Sequence, residues 1–238
     1  FYRAVEFASS SRTGNALLGL TYKYKWNNQI NLYGQFVLDE FSLGDIKKSD
    51  NSWKNKYGYQ LGIKYYNAFR VSDLLLQLEY NHVRPYVYSH SVPLTNYGHN
   101  NQSIGHQWGG NFKELIAIAR YHKGRYFADA KVTMGTRGLD FDTTENNFNF
   151  GGNIYKDYDE NRPFDTGVKV GQGNKTAVFI ADFQGGYLVN PATNLKIFGS
   201  YMYRSFDPTK NTVSTFSEST NWLTLGLRAD VFNWYFDY

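Results

Sequence analysis

The stretch Lys56-Tyr57-Gly58-Tyr59-Gln60-Leu61-Gly62-Ile63-Lys64-Tyr65 separates, position by position, into two unlike sets. Its odd positions are Tyr57, Tyr59, Leu61, Ile63 and Tyr65; its even positions are Lys56, Gly58, Gln60, Gly62 and Lys64. Side chains on a strand alternate between faces, so this segment reads as a strand with one oily wall and one polar wall. The same pattern returns near the other end, where Leu223, Leu225 and Leu227 alternate with Trp222, Thr224, Gly226 and Arg228. Strands of about ten residues, apolar on one side and polar on the other, suit a transmembrane β-barrel. Lipid takes the oily wall, a wet lumen takes the polar one, and closure leaves no unpaired edge. The fold expected is all-β, an antiparallel transmembrane β-barrel.

Composition agrees with this class. The chain has 238 residues, of which 42% are hydrophobic and 18% aromatic, with 21 Tyr, 18 Phe, 22 Gly and no Cys. No run of eighteen or more apolar residues is present, which argues against helical spans but not against a barrel, half of whose strand residues are polar. Abundant Tyr, Phe and Trp suit girdles at the two water–lipid boundaries; an aromatic-rich soluble sandwich is the alternative. The absence of Cys removes disulfides and thiolate metal sites. A formal charge of +4 is mild. Basic side chains at the rim would meet the phosphates of outer-membrane lipid and lipopolysaccharide, although solvated loops alone explain the balance more simply. No basic helix or nucleic-acid motif stands out, so nucleic acid is not an expected partner.

About ten strands can be placed, at 1–9, 14–26, 28–41, 56–67, 73–90, 112–123, 126–141, 175–190, 194–208 and 218–232. Tight Asn/Gly/Pro-rich links (27–28, 68–72, 124–125, 191–194) alternate with long ones (42–55, 91–111, 142–174). Short periplasmic turns opposite long external loops are the asymmetry of an outer-membrane barrel. That topology puts the C-terminus in the periplasm. The abrupt strand-like start at Phe1 suggests a piece of a longer chain. Lipid-facing residues are expected to include Leu18, Leu20, Phe36, Leu76, Leu78, Ala117, Val132, Ile197 and Tyr201. Lumen-facing ones are expected to include Lys23, Gln35, Gln60, Lys64, Gln77, Glu79, Asp129, Lys131, Asp182, Arg228 and Asp230, whose mixed signs suit a lumen partly filled by its own ion pairs.

Three of the five histidines, His90, His99 and His106, fall in or beside one loop. Imidazoles bind Zn or Cu, but the spacing is not a ligand spacing and no Cys or acidic residue lies between His99 and His106, so hydrogen bonding to loop backbone is the simpler role. No metal and no cofactor are expected. For catalysis, Ser91, His90 and Asp182 are available by type, and Asp140 with Asp142 forms a close carboxylate pair. Neither set sits in a nucleophile turn or other specific signature, so no enzyme is expected. Saccharides match the inventory better, since their C–H faces lie on aromatic rings and their hydroxyls suit Asn, Gln, Arg and His. Read as strand, 84–90 would present Arg84, Tyr86, Tyr88 and His90 on one face, leading to Tyr97, His99, Gln102, His106 and Asn111; these nine are the candidate ligand contacts.

Several words of the chain, among them Leu32-Tyr-Gly-Gln-Phe-Val-Leu-Asp-Glu-Phe41, Val83-Arg-Pro-Tyr-Val-Tyr-Ser-His90, Pro93-Leu-Thr-Asn-Tyr-Gly-His99 and Gly109-Gly-Asn-Phe-Lys-Glu-Leu115, resemble the Wzi-like capsule-assembly outer-membrane barrels. Within that group the chain is most similar to the Bacteroidota branch that includes RemB-like gliding-motility proteins. It departs from the pattern at His106-Gln-Trp-Gly-Gly, where a Pro-Leu-Gly step would stand. The resemblance implies a barrel of about eighteen strands, of which this chain would be the C-terminal portion, and a non-enzymatic role at the cell surface. That role would be in capsular or surface polysaccharide attachment, or in gliding-motility assemblies that depend on type 9 secretion, with other outer-membrane or secretion-system proteins as partners. It also implies that Phe236 and Tyr238 act as a terminal aromatic insertion signal. A porin-like passive channel is the alternative function.

Overall fold

The computed structural model describes residues 15–40, 47 and 50–229. The strand expected at 1–9, and Asp230, Phe236 and Tyr238, lie outside them. Nine strands form one antiparallel sheet in the order β1 (Leu18–Lys25), β2 (Ile30–Glu40), β3 (Lys56–Tyr66), β4 (Leu74–Val83), β7 (Phe112–Lys123), β8 (Tyr126–Leu139), β9 (Asn174–Asn190), β10 (Leu195–Pro208) and β11 (Glu218–Arg228). A two-stranded ribbon, β5 (Gly98–His99) and β6 (Gln102–Ser103), stands apart in the long β4–β7 loop. Every neighbour in the large sheet is the next strand in the chain apart from that ribbon. The sheet is not closed: among the described residues β1 and β11 pair on one side only.

Turn chemistry explains the tight links. Asn27 Oδ1 accepts from the backbone N–H of both Gln29 and Ile30 at 2.8 Å, closing the β1–β2 turn; an Asn side chain that mimics a backbone turn is a common way to reverse a strand. Asn67 Oδ1 accepts from Asp73 N–H at 2.9 Å across the β3–β4 link. Asn190 Oδ1 does the same for Ala192 N–H at 2.9 Å in the β9–β10 link. The long links that follow β2, β4 and β8 leave the sheet at the opposite end, as does the shorter 209–217 link after β10.

Register carries the alternation across the sheet. One transverse row runs Tyr24, Leu32, Ile63, Leu78, Ala117, Val132, Ala181 and Tyr203; the next runs Ile30, Tyr65, Leu76, Ala119, Ala130, Phe183, Tyr201 and Leu223. Because opposed residues share a face, every described residue expected to face lipid falls on this side. The side is also uncovered: Leu20, Leu223, Leu225 and Leu227 are 68%, 73%, 81% and 71% exposed. Aromatics bracket the aliphatic rows. Tyr59 stacks on His82 at 5.0 Å toward the loop end, and Tyr126 meets Tyr187 at 5.1 Å toward the turn end.

The other face carries Gln35, Gln60, Asn81 and Glu114 in one row, and Lys64, Gln77, Ile118, Lys131 and Asp182 in another. Near the loop end this face turns apolar, and there the core sits. Val83, Phe112 and Val178 from the strands pack with Val87, Tyr88, Trp108 and Ile154 from the loops. A second cluster of Trp53, Tyr86, Tyr158 and Val168 joins the three long loops to one another.

One expected strand is shorter than its alternation suggests. β4 ends at Val83, and residues 85–88 form turns. Pro85 cannot donate to a ladder, and Tyr86 and Tyr88 adopt φ of 69° and 73°, a left-handed conformation that bulky residues rarely take. Arg84, Tyr86, Tyr88 and His90 therefore do not share an exposed strand face; all four are buried. Contacts from far along the chain hold the bend. Tyr86 N–H donates to Gly151 O at 2.9 Å, and Tyr86 Oη donates to Asn149 O at 2.8 Å. Gly151 has φ +79°, and a Cβ there would stand 2.5 Å from Tyr86 N, so only glycine lets the two loops approach.

Candidate functional site

A chain of hydrogen bonds crosses the polar face and ends in the loops. Gln77 Nε2 donates to Tyr33 Oη at 2.7 Å, and Tyr33 Oη donates to Glu79 Oε2 at 2.6 Å. Asn81 Nδ2 bridges Glu79 Oε1 at 3.0 Å and Glu114 Oε1 at 2.8 Å. Glu114, whose side chain is 1% exposed, meets His106 Nε2 at 2.7 Å. His106 Nδ1 accepts from Trp108 N–H at 3.1 Å, so Nε2 carries the proton given to Glu114. This network pins the 84–111 loop to the sheet wall. Both bonds to Glu114 fall on Oε1, and its Oε2 is buried without a hydrogen-bond partner; the bonds that are made favour one arrangement of the loop over others.

Asn111 is the other anchor. Fully buried, its Nδ2 lies 3.0 Å from the carbonyls of Gly138, Phe150 and Gln172, and its Oδ1 accepts from Gly171 N–H at 2.7 Å. Asp39 Oδ2 accepts from Tyr88 N–H at 2.9 Å and lies 3.9 Å from Lys56 Nζ. Arg84 Nη2 donates to Ser52 O at 3.1 Å. Burial, the Asp39 carboxylate and Tyr97 push the Tyr88 phenol up to about 12; burial pushes Tyr86 up as well. Such residues hold the loops together and have no surface to offer a ligand.

The nine candidate contacts thus divide. Arg84, Tyr86, Tyr88, His90 and Asn111 are structural groups inside the loop cap. His90 Nδ1 accepts from Val92 N–H at 3.0 Å and lies 2.9 Å from Thr95 Oγ1, the loop-holding role expected of it. Tyr97, His99, Gln102 and His106 are wholly or partly accessible. Tyr97 and His106 line a cleft of about 450 Å³ against Gln35, Gln60 and Asn81. Gln102 lines a second cleft of about 580 Å³ between the 84–111 and 140–173 loops.

That second cleft has the richer chemistry. Its wall includes Asn101, Gln102, Gln107 and Asn153, the rings of Trp108 and Tyr155, and the charged groups Arg137, Asp140 and Asp142. Tyr155 Oη donates to Gln102 O at 3.1 Å, tying the two loops together at the rim. Trp108 lies against Gly135, where a Cβ would come within 2.6 Å of the ring; only an unsubstituted strand position gives the indole its seat. Asp140 and Asp142 are not a free carboxylate pair. Lys156 Nζ binds them at 2.7 and 2.6 Å, and Asp140 also accepts from Phe150 N–H at 2.7 Å. Burial pulls the Lys156 ammonium down, but its bonds to Asp140 and Asp142 outweigh that and leave it raised.

Trp108, Tyr155 and Arg137 lie outside the nine candidate contacts. Arg137 has the same strand parity as Asp129 and Lys131, so the alternation itself places it on the polar face. Tyr155 had no such signal, because its loop has no period. Among the described residues, no three His, Cys, Asp or Glu side chains converge as a metal site. Asp182 stands on β9 opposite Lys131 and Met202, away from the His90 turn in the loops. No protein-family model, curated protein or solved structure matches this chain.

Proposed function

We propose that the chain is part of a bacterial outer-membrane β-barrel with a non-enzymatic scaffold and binding role at the cell surface. The observation that carries this reading is the apolar face, whose two central rows each run through eight strands and are bracketed by aromatics, with the polar side chains hydrogen-bonded behind it. In water such a face would be a large adhesive patch; in lipid it is the required wall. Open edges are not tolerated in hydrocarbon, so further strands complete the ring. The short links then face the periplasm, with the C-terminus, and the loops face outward. Outer-membrane lipid and lipopolysaccharide surround the belt. The amide- and aromatic-lined clefts at the loop end favour surface polysaccharide as the ligand, in capsular attachment or in gliding and type 9 secretion assemblies, as the Wzi-like resemblance implies.

The alternative function, a passive channel, is disfavoured by loops that pack onto the polar face through Val87, Tyr88 and Trp108. Reconstitution of the full-length protein into phospholipid vesicles tests both. Insertion with little ion conductance supports the scaffold; steady, large conductance favours the channel. A protein that stays monodisperse in water and ignores vesicles contradicts the membrane reading altogether.

A further inference from the structure

Arg137 is the charged group in the loop-end cleft that its surroundings do not neutralise. Half-buried on the polar face of β8, its Nη2 donates to Trp108 O at 3.3 Å and its guanidinium lies 5.6 Å from the Trp108 ring centre. Its Nε is buried without a hydrogen-bond partner. Among the described residues, no carboxylate lies within ion-pair distance of it. The two carboxylates on the same wall, Asp140 and Asp142, are already held by Lys156. The charges that act on Arg137 from a distance are Glu114, bonded to His106 and Asn81, and a second cation, Arg204 on β10. Arg204 borders the adjoining pocket, which shares Ser214 and Thr215 with the cleft.

Desolvating a guanidinium without a carboxylate partner is costly, and charged groups left in that state in clefts are candidates for binding sites. A guanidinium presents up to five donors in a planar fork that fits a carboxylate. Around it stand two aromatic rings and four amide side chains, a lining that suits a polyhydroxylated ring. We propose that this cleft binds an acidic saccharide, with the sugar carboxylate on Arg137 and the ring against Tyr155. The proposal rests on the surface-polysaccharide reading above and narrows it to a charged sugar.

The test is calorimetric titration of the full chain in detergent with three probes: a β-1,4-linked glucuronic acid trisaccharide, the matching glucose trisaccharide, and sodium sulfate. The acidic trisaccharide should bind about tenfold to a hundredfold more tightly than the neutral one. That preference should shrink with added salt, vanish in Arg137→Gln and survive in part in Arg137→Lys. Retained heat-modifiable mobility in both variants confirms that they fold. Equal binding of the two sugars, or an unchanged preference in Arg137→Gln, overturns the role of Arg137 while leaving a saccharide site standing. Sulfate binding as tightly as the acidic sugar shows a small-anion site and overturns the saccharide ligand. If neither sugar binds, the surface-polysaccharide reading falls with the proposal.

Discussion

The sheet and the loop cap place the same residue types in opposite surroundings. On the sheet, Leu223, Leu225 and Leu227 are open and Tyr33, Glu79 and Asn81 are bonded to one another. In the cap, Trp53, Tyr86, Tyr158 and Val168 are buried and His99 and Asn101 are open. The cap follows the ordinary rule for a protein in water and the sheet inverts it. The change falls near Val83 and Phe112, where strand and loop cores meet; on the outer-membrane reading proposed above it divides a part that meets lipid from a part that meets water.

The largest expected effect comes from breaking the inverted half. Leu225→Arg puts a charge on the apolar face and should cost about 2–4 kcal/mol of membrane stability, read as a shift in the urea midpoint of vesicle-folded protein. Next comes the conventional half. Asn111→Ala removes the side-chain donor from the Gly138 and Gln172 carbonyls and the acceptor of the Gly171 N–H, while Phe150 O keeps Gln172 Nε2; it should cost about 2–3 kcal/mol, and limited proteolysis should then cut within 140–173 while the strands stay protected. Gly135→Ala drives a methyl into Trp108 and should cost about 1–3 kcal/mol, with altered indole fluorescence and an intact sheet.

Alkaline titration separates the two halves without mutation. Tyr88 carries a phenol raised from 10.0 to about 12 by burial, with Asp39 and Tyr97 adding to it. Its protonated form is favoured in the folded cap, so its contribution is constant below pH 10 and is lost as pH rises toward 12. Lys156, raised by Asp140 and Asp142 against the opposing effect of burial, acts in the same direction. Near-ultraviolet circular dichroism from the cap should therefore fade before the far-ultraviolet sheet signal does. Smallest of all, Arg228→Leu should change stability by less than about 0.5 kcal/mol, since Arg228 is exposed on the edge strand β11.

Much of the sheet is legible because its two signals are local. A period of two marks the strands, and Asn and Gly mark turns such as 27–28 and 124–125. The end of β4 is not legible from alternation, since Arg84, Tyr86, Tyr88 and His90 keep strand spacing. The local warning is Pro85; the decisive contacts, to Asn149 and Gly151, lie more than sixty residues away. The site shows the same division. Gln77 and Glu79 follow from parity, whereas the bridge from Asn81 through Glu114 to His106 depends on loop packing that no period encodes. Asp140 and Asp142 look like a free pair until Lys156, fourteen and sixteen residues on, folds back between them.

The account depends most on which medium touches the apolar face. The chain has no Cys, so single cysteines at positions 74 to 79 of β4 can each carry a nitroxide label in vesicle-reconstituted protein. Accessibility to oxygen, which partitions into lipid, and to a water-soluble nickel chelate should then alternate along the strand. Labels at Leu74, Leu76 and Leu78 should favour oxygen, and labels at Leu75, Gln77 and Glu79 should not. A flat profile, or one with the two sets exchanged, would contradict a lipid-facing belt.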